Sequence, residues 1–159
     1  MENNKTIIRK KKPLINGALM SSACMMLGGM MITFVVMMNS ISFAINEHLD
    51  GIFDMLILIF SFILYYFQAR FIGAVFAADK PSKINKDTAD KILKYAGRCL
   101  LFNGILLFVC LMSTGDWEPQ GYFGPGTFLL FFQFPGIIVK MIAFLGASDL
   151  KAKFHNSSK

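Results

Sequence analysis

The chain has 159 residues, enough for one compact domain. Of these, 55% are hydrophobic, including 17 Phe and 11 Met, and the mean hydropathy is +0.53. A soluble core of this size cannot hide so much apolar surface, so the composition calls for lipid as solvent. The net charge of +6 does not point to nucleic acid, because the cations flank apolar runs instead of lining a polar face.

Residues 1–13 are polar and basic, with Lys5, Arg9, Lys10, Lys11 and Lys12 ahead of Pro13. From Leu14 to Ile45 no charged residue appears. A helix of that length spans about 48 Å against a hydrocarbon core of about 30 Å, so part of it must leave the core, tilt or bend. The first span is placed near residues 15–38, with Asn39, Ser40, Ser42 and Asn46 marking its exit. A cleaved secretory signal is the competing reading, but the apolar run is too long and no A-x-A site follows. A lipoprotein site at Cys24 is also poor, because Ser21 stands where an aliphatic residue is wanted.

A short acidic loop with Glu47, His48 and Asp50 leads into a second span, about residues 52–75. Asp54 and Arg70 lie near its two ends, within reach of headgroups. Residues 77–94 are the longest polar stretch. There Pro81 bars a straight helix through from the second span, and Asn85 or Asp87 can cap a new one. The third span is expected at 92–112. A second acidic loop follows, where Trp117 and Tyr122 suit the headgroup belt. Gly124-Pro125-Gly126 breaks the chain before a fourth span at 127–147, in which Pro135 and Gly136 should introduce a kink. The tail, 148–159, is basic again.

With four spans, all 16 cations fall on one face. Five lie in the N-terminal tail, seven from Arg70 to Arg98, and four at Lys140, Lys151, Lys153 and Lys159. The other face carries Glu47, Asp50, Asp54, Asp116 and Glu118. Because positive charge is retained in the cytosol, both termini are assigned to the cytosolic side. The fold class expected is all-α, an antiparallel four-helix membrane bundle of residues 14–147 between two basic cytosolic tails. The sequons at Asn4 and Asn156 then stay unglycosylated.

Chemistry-bearing residues are few. Cys24, Cys99 and Cys110 all sit in apolar segments and read as small buried hydrophobes, not as a disulfide framework. Met26 and Met30 form an M-x-x-x-M step, but no extracellular Met or His cluster feeds a copper site, so packing or lipid contact is the better reading. His48 and His155 are isolated, without metal-ligand spacing. No catalytic, cofactor or metal motif is present, and no carboxylate lies mid-span as a proton-coupled carrier usually requires.

Three groups remain as candidates for binding. The cations Arg9, Lys10, Lys11, Lys12, Arg70, Arg98 and Lys140 are candidates for lipid headgroups or a partner, each worth about 1 kcal/mol near anionic lipid. Lys140 is the deepest, roughly 12 Å from the expected helix end. It either snorkels or is buried against an inter-helix carbonyl, a partner or a lipid phosphate. Gly17, Ser21, Gly28 and Gly29 (with Thr33) put small side chains on the first span, and Gly97 and Gly104 do so on the third. These suit close helix packing, within the bundle or onto a larger membrane partner.

Several positions resemble the COPI-associated family of Golgi vesicle membrane proteins. Lys12 and Asn16 precede Met26-Leu27-Gly28-Gly29, and the third span opens Tyr95-Ala96-Gly97-Arg98-Cys99 and runs on through Asn103-Gly104. The chain departs from that pattern where Cys99 replaces a second glycine, where Gln68 and Arg70 replace an acidic–basic pair, and in a longer central loop. The resemblance implies a Golgi or endosomal vesicle protein with a trafficking role. Four spans with cytosolic ends also look like the MARVEL topology. The functional expectation is a non-enzymatic protein that acts through lipid and protein binding. An accessory subunit of an ion pump or transporter is the alternative, and a small channel or carrier the second.

Overall fold

The computed structural model describes residues 15–47, 52–78, 84–113 and 125–157. Each stretch is built around one helix: α1 Gly17–Glu47, α2 Ile52–Ala77, α3 Lys86–Ser113 and α4 Pro125–Ser157. All four are long and apolar enough to cross a membrane, with candidate spans at Gly17–Phe34, Met55–Ala77, Lys86–Met112 and Phe131–His155. In hydrocarbon every backbone N–H and C=O must find its partner inside the segment, which leaves helices as the natural form for such apolar runs.

Polar residues start two of the helices. Asn16 Oδ1 accepts from Leu19 N at 2.9 Å at the head of α1. Asn85 Oδ1 accepts from both Thr88 N and Thr88 Oγ1 at 2.7 Å at the head of α3, so Asn85 is the N-cap there and Asp87 lies in the first turn. α2 closes with Ala78 N bonded to Ala74 O and Val75 O.

Each helix packs on its neighbours in sequence, and α4 closes the ring on α1. The α3–α4 and α2–α3 seams are the most extensive, and α1 is held more lightly. At one end Asp90, near the start of α3, pairs with Lys151, near the end of α4, at 2.9 Å. Further along the same seam Gly97 faces Phe144, and Asn103 meets Gly136 and Lys140.

The larger core cluster joins all four helices through Leu19, Ala23, Met26, Phe71, Val75, Ile92, Cys99, Ala143 and Leu150. A smaller one lies between α2 and α3, around Ile57, Leu64, Leu106 and Cys110. The outer surface stays apolar: Met25, Met31, Leu101, Phe131 and Leu145 are each at least 60% exposed. That is the pattern of side chains solvated by lipid tails.

The helix ends depart from the expected spans. α1 does not stop near residue 38 but continues to Glu47. α3 begins at Lys86, right after Asn85, one of the two expected caps, and so leads into the span expected at 92, while α4 runs from Pro125 to Ser157, through most of the expected tail. Asn and Ser mark where a chain leaves hydrocarbon, not where a helix must end. At 33 residues α4 spans about 50 Å, well beyond the hydrocarbon core. It remains continuous through Pro135. The placements expected for Pro81, Trp117, Tyr122 and the Gly124 break lie outside the described residues.

Candidate functional site

Between the two apolar clusters lies a polar layer. On α3 Asn103 is fully buried, between Cys99 of one cluster and Leu106 of the other. Its amide donates through Nδ2 to the Gln133 carbonyl of α4 at 3.4 Å, which fixes which way the amide faces. Its Oδ1 is thereby turned to accept from Lys140 Nζ. Lys140 is 4% exposed, and its other contact is a long one, 3.5 Å, to the Gly136 carbonyl one turn earlier.

Gly136 makes this geometry possible. A Cβ there would sit 3.3 Å from Lys140 Nζ and 3.4 Å from Asn103 Oδ1, in the space the hydrogen bond occupies. Pro135 removes a backbone N–H from the same turn. The Pro-Gly step therefore serves the ammonium by leaving room for it, a role its reading as a kink did not contain.

Lys140 thus does not snorkel. It lies inside the bundle, paired to a side-chain carbonyl of the neighbouring helix. Among the described residues no carboxylate forms an ion pair with it. Asp87, Asp90 and Asp149 are paired with Lys91, Lys151 and Lys153 instead. An ammonium held by neutral acceptors alone has incomplete compensation for leaving water.

A cavity of about 390 Å³ adjoins this centre, walled by α1, α2 and α4. Its polar lining comes from Lys140, Gln133, Gln68 and Thr33. Gln68 and Gln133 are 6% and 4% exposed, and their side-chain amides make no hydrogen bond among the described residues. Each therefore brings two N–H donors and a carbonyl to the wall without a partner. The remaining lining is apolar or small, and Met25, Gly28, Gly29, Ile32 and Phe132 are exposed on the outer surface. The cavity therefore opens sideways, toward lipid.

The other expected site residues do not join this centre. Arg70 and Arg98 are exposed. Arg70 donates to Tyr66 Oη at 3.1 Å and lies over its ring, and Arg98 lies over Phe67, which stacks on Phe102. Such guanidinium–ring contacts hold each charge at the bundle surface. Arg9, Lys10, Lys11 and Lys12 lie outside the described residues.

The small residues divide. Gly97 packs within the bundle, where an added Cβ would meet Phe144 at 3.5 Å. Gly17, Ser21, Gly28, Gly29 and Gly104 are all exposed, and the four glycines among them have no neighbour within 4 Å of a built Cβ. Packing inside the bundle is therefore not their role. The tight approach belongs to Gly146, where a Cβ would meet Leu19 at 3.1 Å; it is a single glycine without a repeating signature.

Sequence reasoning singled out Lys140 and Gly136 but missed Asn103, Gln68 and Gln133 as a group. An amide inside an apolar run is costly unless partnered, and that cost was the available signal.

No family model matches the chain, and neither the characterised proteins nor the solved structures include a detectable relative.

Proposed function

We propose that this is a non-enzymatic multi-pass membrane protein that acts by binding, with the Lys140 cavity as its binding centre. The bundle is read as antiparallel, supported by the run of α3–α4 contacts from Asp90–Lys151 through Gly97–Phe144 to Asn103–Gly136. Both termini are assigned to the cytosolic side on the charge distribution. One observation carries the binding role. A lysine that is 96% buried, and that pairs with no carboxylate among the described residues, lines a lipid-facing cavity beside two amides without a partner among those residues. Ionisable groups inside a membrane are expensive, and they are kept where they pair with a substrate, ion or partner.

A place in Golgi or endosomal vesicles is the trafficking form of this reading, and it rests on the sequence resemblance. The accessory-subunit form is favoured by a separate observation, the exposed small-residue face of α1 at Gly17, Ser21, Gly28 and Gly29. Purification in mild detergent tests the alternatives. A stoichiometric large membrane partner supports the accessory role, and recovery with coat or cargo proteins supports trafficking. Ion flux through liposomes containing the purified chain alone contradicts both.

A further inference from the structure

We infer that the Lys140 cavity takes the acidic head of a membrane amphiphile, an unsubstituted carboxylate or phosphate on an acyl chain, entering sideways from the bilayer. The inference rests on the reading of this cavity as a binding centre and adds the class of ligand.

Charge sets the first requirement. Among the described residues Lys140 has the Asn103 and Gly136 oxygens as acceptors, both neutral, and Asp87, Asp90 and Asp149 pair with other lysines. An anion would complete the pairing, and charge-assisted bonds are about twice as strong as neutral ones. Gln68 and Gln133 supply further N–H donors at the same wall.

Size sets the second. At about 30 Å³ per water-sized group, 390 Å³ holds roughly a dozen such groups. That suits a small head and the first carbons of a chain. A head bearing choline would also bring a second cation to a site that already has an unneutralised one.

Position sets the third. Asn103 lies five residues beyond Arg98 on α3, about 7.5 Å deeper. Only a head small enough to shed its water reaches that level, with its chain left in lipid through the gap at Gly28, Gly29 and Phe132. The absence of side chains at Gly28 and Gly29 keeps that gap open.

The test uses the full chain in phosphatidylcholine nanodiscs. Isotope-labelled oleate, oleyl alcohol and inorganic phosphate are each titrated, and binding is counted by native mass spectrometry. Expected is one saturable oleate per chain, no saturable oleyl alcohol, and no displacement by inorganic phosphate. Lys140→Met should weaken oleate binding roughly thirtyfold or more, as loss of a buried charge partner does. Gln68→Leu should weaken it less, and Arg98→Met should leave it unchanged. Because Lys140→Met removes a buried charge, it should fold; helix content and monodispersity check this. If Lys140→Met nevertheless does not fold, Gln68→Leu and Gly28→Leu, which narrows the gap, must each weaken oleate binding, and full retention in both overturns the inference. If inorganic phosphate binds in a Lys140-dependent way and displaces oleate, the centre stands but the amphiphile falls. If oleyl alcohol matches oleate, or Lys140→Met binds oleate as the parent does, both the inference and the binding centre fall.

Discussion

Replacing Asn103 with leucine removes the acceptor that holds Lys140 Nζ and leaves only the Gly136 carbonyl at 3.5 Å, beyond the usual N–H···O range. Hydrogen bonds between membrane helices average only about 0.6 kcal/mol, but those to a charged group are worth about 1.5–3 kcal/mol. The donor here is an ammonium, and Asn103 is fully buried, so the larger figure applies and a loss of about 2 kcal/mol is expected. Lys140→Met leaves the Asn103 carbonyl unpaired but removes the charge, and should cost about 1 kcal/mol. With both substitutions neither group is orphaned, and stability should return close to that of the parent. The coupling energy should therefore be about 3 kcal/mol, well above the roughly 0.3–0.5 kcal/mol scatter of independent sites. Reversible unfolding from lipid–detergent micelles, followed by energy transfer between labels on α1 and α3, measures it. Additive single substitutions, or an Asn103→Leu protein as stable as the parent, would refute the buried pair.

Glycine substitutions should separate by surroundings. Gly146→Val drives a branched side chain into Leu19 and should cost about 1–3 kcal/mol, whereas Gly104→Ala meets nothing and should gain up to about 1 kcal/mol in the same assay. Gly136→Ala places a methyl against Lys140 Nζ and Asn103 Oδ1, and should destabilise even though helix propensity improves. That loss should shrink in a Lys140→Met background. Asn85→Ala removes the cap of α3 and should cost about 1 kcal/mol, with faster amide exchange at Thr88. Asp90→Asn breaks only a half-exposed ion pair and should cost no more than about 1 kcal/mol, diminishing as salt is raised.

The four helices were legible because apolar runs longer than a bilayer admit few other structures. Their ends were not, since hydropathy falls at Asn39 while helical hydrogen bonding continues to Glu47. Lys140 stood out as a charge in an apolar span, but its depth was judged from a helix end placed at 147, and α4 runs ten residues further. That placement made snorkelling plausible. Asn103 was invisible as its partner because the two are 37 residues apart and only tertiary packing brings them together. The small residues of α1 misled in the opposite way. Their spacing suits helix packing, yet the bundle turns them outward and uses the unpatterned Gly146.

Amine labelling in nanodiscs with a membrane-impermeant acylating reagent, which reaches both aqueous faces but not the lipid-facing cavity, quantified per lysine by mass spectrometry, addresses the embedded ammonium most directly. Lys91, Lys151 and Lys153 should react readily, while Lys140 stays unmodified until the bundle is unfolded and then reacts. Modification of Lys140 in the folded protein at the rate of Lys151 would place it outside the bundle and contradict the account.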